Sequence, residues 1–342
     1  MELTISLEIF WYLIVGIAIV FYAVLDGFDL GVGMLHLLVK KDVERRTFLN
    51  AIGPVWDGNE VWLVIVGGAL FAGFPDVYAT LCSSFYNLVM ILLAGLIFRA
   101  VAIEFRSKHE SRRWRESWDV IFSLASFVIA FGVGLTLGNL IEGIPLDGDM
   151  VYRGTFAGIF RPYPILVGFT AVALFTMHGA IFLLMKTEGE LHEKVRRFMK
   201  PSLILLLVTY TLTTIATILY MPHMLERMHD RPYLFLIAAA ALVALLWVPR
   251  MVQKKWDGWA FICSSVGIAL LIAVFGVGIY PVMVRSTLDE QYSLTLFNSA
   301  ASPLTLKVLA IIVAIGVPLV LAYGYWVYRI FRGKVKLGPT SY

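Results

Sequence analysis

The chain has 342 residues, of which 59% are hydrophobic and only 15% charged, with a mean hydropathy of +0.81 and a formal net charge of +4. A water-soluble fold would have too little polar surface to cover itself, so the composition excludes a soluble enzyme and places the chain in lipid. At roughly 20 apolar residues per spanning helix plus a connection, about nine spans use nearly the whole length and leave no soluble domain.

The sequence starts Met-Glu-Leu-Thr-Ile-Ser-Leu-Glu, with neither a basic n-region nor a small-residue cleavage site, so the first apolar run reads as a retained span. Apolar runs predict helices at about 7–39, 50–70, 77–105, 115–137, 163–186, 201–220, 232–249, 258–282 and 304–331. This is an all-α integral membrane protein of about nine helices, with residues 1–342 forming one transmembrane domain. The count allows two four-helix bundles, helices one to four and five to eight, with a peripheral ninth. The longest connection, about 138–162, carries Glu142, Asp147 and Asp149 and is too short to fold as a domain.

Basic residues alternate between the two faces. Lys40, Lys41, Arg45 and Arg46 follow the first helix, and Arg99, Arg106, Lys108, Arg112, Arg113 and Arg115 mark the end of the third and the connection after it. With the fifth and seventh connections and the C-terminal tail, this face holds 22 of the 28 Lys and Arg. The opposite face has Arg153, Arg161, Arg227, Arg231, Arg285 and Lys307, so the positive-inside rule puts the N-terminus outside and the C-terminus in the cytoplasm. This distribution explains the net charge without a nucleic-acid partner.

Ionisable groups inside a span cost several kcal/mol unless they face protein, water or a partner. Asp26 and Asp29 lie at i,i+3 on the first helix, and Asp57 and Glu60 at i,i+3 on the second. Counted inward from Lys40 and Arg46 at 1.5 Å per residue, the four form a layer about 16–21 Å from the cytoplasmic end. Burial and like-charge crowding suit such a layer to proton movement. Arg99 on the third helix is the charge partner within reach, and it can pair with one or two carboxylates. Asp119, just after the basic run, is either a proton uptake point or an acid compensating a helix dipole. Gly27 and Gly31 form a GxxxG step beside Asp26 and Asp29, with Gly33 following.

Redox centres find little in this pattern. His109, His192, His223 and His229 fall in predicted loops, His36 near the inner end of the first helix, and His178 alone lies deep in a span. Bis-ligated haems need several axial ligands on facing helices, so no metal or haem ligation is expected of this chain. Cys82 and Cys263 fall near opposite ends of their helices, too far apart for a disulfide. There is no CxxC, HExxH or Gly-rich phosphate loop.

The segments FYAVLDGFDLGVGML at 21–35, WDGNEVWLVIVGGALFAGFPDVYATL at 56–81, FRAVAIEFRSK at 98–108, RWRESWD at 113–119 and MHGAIFLLMKTEGELH at 177–192 resemble subunit II of the cytochrome bd oxidases. The resemblance covers essentially the whole chain. It implies a heterodimeric terminal oxidase of a prokaryotic inner membrane that oxidises quinol, reduces dioxygen to water and draws the chemical protons from the cytoplasm. It assigns two haems b, one haem d and the quinol-binding loop to subunit I, and leaves this chain haem-free. It also implies subunit I, membrane lipid and quinol as partners, with a small single-span subunit as a further candidate. Asp26, Asp29, Asp57 and Asp119 fall in the family's acidic motifs and become candidates for a proton route, as does Glu60, where members vary between acid and amide. Trp56 and Trp62 read as packing.

Two other classes carry buried carboxylates, an autonomous ion or solute transporter and a structural scaffold. Transporters usually show broken helices or paired repeats around a site, whereas the acids here are confined to the N-terminal half. The orientation has a direct check: alkaline phosphatase fused after Tyr342 should be inactive and a green fluorescent protein there should fluoresce. The reverse result would contradict the topology.

Overall fold

The computed structural model describes residues 6–338, so Tyr342 and the rest of the extreme tail lie outside the described residues. The first helix, α1 (Leu7–Leu35), starts where the Ser6 hydroxyl accepts the Ile9 N–H, and continues as a 3₁₀ turn to Leu38. Next come α2 (Asp42–Ile52) and α3 (Trp56–Gly73), then α4 (Pro75–Ser84), α5 (Tyr86–Phe105) and α6 (Arg112–Glu142). The second half contains α7 (Pro162–Lys186), α8 (Gly189–Tyr220), the short α9 (His223–Asp230), α10 (Phe235–Gln253), α11 (Asp257–Ile279) and α12 (Pro303–Ile330). Among the described residues eight helices are long and apolar enough to span on their own, and α2 with α3, bent by 48°, brings the count to nine when the pair is taken as one span.

Several elements differ from the apolar runs for identifiable reasons. The second predicted span, 50–70, is broken at Gly53-Pro54, because proline lacks an N–H and its ring clashes with the preceding turn. The depths counted from Arg46 assumed an unbroken helix, so they overstate how far Asp57 and Glu60 lie from the cytoplasmic end. The third span is likewise divided at Phe85. The polar stretch 189–200 is helical, so α8 begins 12 residues before the predicted 201 and runs through Pro201; hydropathy could not see a polar extension. His192, His223 and His229 therefore sit on helices. A two-stranded antiparallel hairpin, β1 (Val282–Val284) and β2 (Leu294–Thr295), is added to the all-α expectation. It meets the 143–153 connection through an Ile144–Ser286 bridge. There Asp147 accepts the Val151 N–H at 2.9 Å and faces Arg153, which hold its carboxyl below the ordinary range.

Helices α1, α3, α5 and α6 pack together, as do α7, α8, α10 and α11, and the two groups meet where α7 lies against α1 and α6. Glycine makes that seam possible. A Cβ on Gly31 would fall on the Phe175 carbonyl and Gly179, and one on Gly179 would fall on the Gly31–Val32 backbone. Beside them Phe28 stacks on Phe182 with ring centroids 3.9 Å apart. Helix α12 is peripheral. It touches α1 and α3 while most of its surface stays exposed.

Because the atoms facing Gly31 and Gly179 are backbone, a side chain there should cost more than the ~1–3 kcal/mol of ordinary overpacking. Gly31→Leu and Gly179→Leu should each abolish the monodisperse size-exclusion peak of detergent extracts. Gly16→Ala, where a Cβ meets nothing within 4 Å, should leave that peak unchanged.

Candidate functional site

The break before α3 lets one helical turn carry Asp57, Asn59 and Glu60 alongside α1, where Asp26 and Asp29 are fully buried. Across from them Arg99 on α5 is also fully buried. Its Nη2 donates to Asp26 Oδ1 at 2.6 Å and contacts Glu60 Oε1 closely, while Nε donates to the same Glu60 oxygen at 3.1 Å. One guanidinium thus ties α1, α3 and α5 together. Asp29 has a different partner: Asn59 Nδ2 donates to its Oδ2 at 2.7 Å and to the Leu25 carbonyl at 3.2 Å. The Asn59 carbonyl accepts the Tyr328 hydroxyl of α12 at 2.8 Å. Asp26 Oδ2, Asp29 Oδ1 and Arg99 Nη1 are buried without a hydrogen-bond partner.

The predicted layer of four acids is therefore three plus one. Asp26, Asp29 and Glu60 gather round Arg99 and Asn59, whereas Asp57 is exposed on the outer side of α3 near Val61 and Val64. Three buried or half-buried carboxyls facing one guanidinium cannot all be ionised cheaply, since each uncompensated charge costs several kcal/mol in a low dielectric. Such a cluster carries more acid than its one base can compensate. Sequence reasoning missed Asn59 and Tyr328. Asn59 had a signal, a third polar residue between Asp57 and Glu60 inside an apolar span. Tyr328 had none, because its partner lies 269 residues away.

Asp119 belongs to a second centre. It is 1% exposed and accepts four donor contacts: His36 Nε2 at 2.5 Å, Arg106 Nε at 2.5 Å, Arg45 Nη1 at 2.8 Å and Arg106 Nη2 at 3.2 Å. Arg106 also reaches Asp42 at 2.8 Å. The carboxylate thus staples the end of α1, α2, the end of α5 and the start of α6. A carboxylate so enclosed is not open to bulk water, and this geometry favours a packing role over proton uptake at Asp119. Nearby, Lys194 of α8 holds Glu44 of α2 at 2.5 Å and extends the clamp to the second bundle.

Fit to a haem fails on the donors. His178 is fully buried, but its Nδ1 lies 2.8 Å from Ser264 Oγ and its Nε2 3.0 Å from the Val24 carbonyl, and Phe261 stacks on its ring. Both ring nitrogens are spent on helix contacts. His36 Nε2 is likewise held by Asp119. Among the described residues no three His, Cys, Asp or Glu side chains converge as a metal site, and Cys82 and Cys263 are free thiols. An apolar cavity of about 390 Å³ between α1, α6 and α11 is rimmed by Arg227, whose guanidinium lies 3.8 Å from the Tyr280 ring centroid. It brings no set of polar groups to bear on a reacting atom.

Asp119 and Asp57 should respond oppositely to loss of their charge. Asp119→Asn leaves Arg45 and Arg106 without their shared carboxylate, at a cost of about 3–5 kcal/mol. It should strongly reduce the amount of folded chain recovered from membranes. Asp57→Asn, on an exposed face, should leave recovery unchanged by the same quantitative immunoblot.

Residues 7–331 match the family described as cytochrome bd terminal oxidase subunit II. Cytochrome bd-I ubiquinol oxidase subunit 2 of Escherichia coli K12 is 34% identical over 361 residues, covering 96% of this chain and 95% of that one. Cytochrome bd ubiquinol oxidase subunit 2 of Bacillus subtilis 168 is 33% identical over 334 residues, with 97% of each covered. In fold, a chain of the bd oxidase from Geobacillus thermodenitrificans superposes with a TM-score of 0.79 at 16% identity, covering 95% of this chain and 98% of that one.

Proposed function

We infer the role of this chain from its family: it belongs to subunit II of the cytochrome bd terminal oxidases. It is a multi-pass protein of the bacterial inner membrane and one subunit of a respiratory quinol oxidase that reduces dioxygen to water. The complex contains haem and a subunit I, and haem supplies the electron-transfer and oxygen chemistry. The resemblance assigns two haems b and one haem d to subunit I, and the occupied ring nitrogens of His178 and His36 Nε2 support that placement. Quinol is the reductant, and lipid surrounds the apolar faces. A small single-span subunit remains a further candidate partner.

The role of this chain is to stabilise subunit I and to supply part of a proton route from the cytoplasm. One observation carries it: two carboxyls, Asp26 and Glu60, share a single buried guanidinium, Arg99, and a third, Asp29, lies beside them held by Asn59. Protons held there would pass to Asp57, one turn away on α3. An acid on an apolar membrane face is costly in lipid, so the surface of α3 around Asp57 and Val64 is where subunit I would cover this chain. The basic residues read as cytoplasmic gather at one end of the bundle. Arg45, Arg106 and Lys194 meet there, and the tail after α12 joins it through Lys334 and the Leu184 carbonyl. That grouping supports an external N-terminus and a cytoplasmic C-terminus.

Asp29→Asn and Asp57→Asn preserve side-chain size but cannot carry an excess proton. Each should slow oxygen consumption about 100-fold or more, the low end for loss of a positioned proton carrier, in complexes of normal haem content. Turnover is to be expressed per haem-replete complex, because a scaffold role predicts lost assembly instead. Full turnover in the Asp29/Asp57 double variant would leave the chain a scaffold.

A further inference from the structure

The proton-route reading names Asp29 but not what sets its orientation. Asp29 sits on the α1 face against α3, and its two oxygens differ: Oδ2 accepts the Asn59 N–H at 2.7 Å, while Oδ1 is buried with no partner. Asn59 is 2% exposed, so its amide has to satisfy its polar atoms within the protein. Its nitrogen donates to two acceptors, Asp29 Oδ2 and the Leu25 carbonyl, and its oxygen accepts the Tyr328 hydroxyl. A flipped amide would point its oxygen at two acceptors and its N–H₂ at Tyr328. The observed arrangement satisfies all three neighbours at once.

We propose that Asn59 and Tyr328 are positioning residues for Asp29, together fixing the amide so that Asp29 Oδ2 always accepts and Oδ1 is the oxygen that takes and gives the proton. The inference rests on the proton-route reading for its purpose, but its geometry does not. A proton on Oδ2 would compete with the Asn59 N–H for that oxygen's lone pairs and weaken the bond, whereas Oδ1, with no partner, takes the proton while Oδ2 stays the acceptor. Tyr328 acts through Asn59 and not on Asp29 directly. Donation to the amide oxygen polarises the amide and strengthens its N–H as a donor. It also gives α12, which lies outside both bundles, a specific part in the buried cluster.

The test is infrared spectroscopy of the assembled complex in the protonated-carboxyl region, with the Asp29 C=O band assigned by its loss in Asp29→Asn. Asn59→Leu removes the N–H donor and should move the band to higher wavenumber. Tyr328→Phe removes only the hydroxyl and should move it in the same direction by a smaller amount. The same Tyr328→Phe complex should turn over about five-fold more slowly, the size of one neutral hydrogen bond. A purely structural role of Tyr328 in docking α12 predicts no change in the band. A band that stays in place in Tyr328→Phe overturns the positioning of Asn59 by Tyr328, and one that stays in place in both variants overturns the whole inference. Bands that move as stated in a complex whose Asp29→Asn form turns over normally would refute the proton route and leave the positioning standing.

Discussion

A guanidinium with no access to water organises this protein. Arg99 is fully buried in a bundle surrounded by lipid, which can neither solvate nor pair it, so the charge must be met by carboxyls brought from other helices. Asp26 on α1 and Glu60 on α3 meet it, which settles how α1, α3 and α5 face one another. The same requirement forbids the three helices from rotating independently, since any turn of α1 that buried a different face would leave Arg99 unpaired. Once that face of α1 is committed to Arg99, its remaining surface has to be sealed by α7, and glycines at 31 and 179 let the backbones approach closely enough to do so.

Two carboxylate centres then differ in how completely they are satisfied. Asp119 takes four donor contacts from three side chains and joins four helix ends, which describes a fixed, charged staple. The Asp26–Asp29–Glu60 cluster has more acid than base and retains partnerless oxygens on Asp26 and Asp29. Saturation makes the first rigid. The second is incompletely compensated, so neither adding nor removing a proton there breaks a closed set of bonds. The two centres are thus separated along the bundle, with the saturated staple at the basic end and the undercompensated cluster deeper on α1.

The broken helix between α2 and α3 connects these two centres. Gly53 and Pro54 stop α2, which is polar and clamped by Glu44 to Lys194, and let α3 restart at a new angle. The restart sets Asn59 and Glu60 against α1 while Asp57 stays on the outer face. A straight helix would present the same residues at other heights and could not serve Arg99, Asp29 and the exposed surface together. Helix α12 completes the arrangement from outside. Its inner end reaches Asn59 through Tyr328, and at its other end the Leu306 carbonyl accepts the Trp11 indole N–H at 3.0 Å.

The sequence by itself determined that the chain lives in lipid, the order of its apolar helices, the basic side of the bundle, and Arg99 as partner to acids of the first two helices. These are legible because hydropathy, charge placement and burial cost act on each segment alone. It could not see polar helix such as 189–200, nor the bend at Gly53-Pro54, because apolar-run counting is blind to both. Only the tertiary structure decided that Asp57 faces outward while Glu60 faces Arg99. It also decided that Asp119 is enclosed by His36, Arg45 and Arg106, and that Asp29 answers to Asn59 and Tyr328. The reason is physical: a residue's type announces that a buried charge needs a partner, but which partner it finds depends on helix rotation and packing between segments hundreds of residues apart.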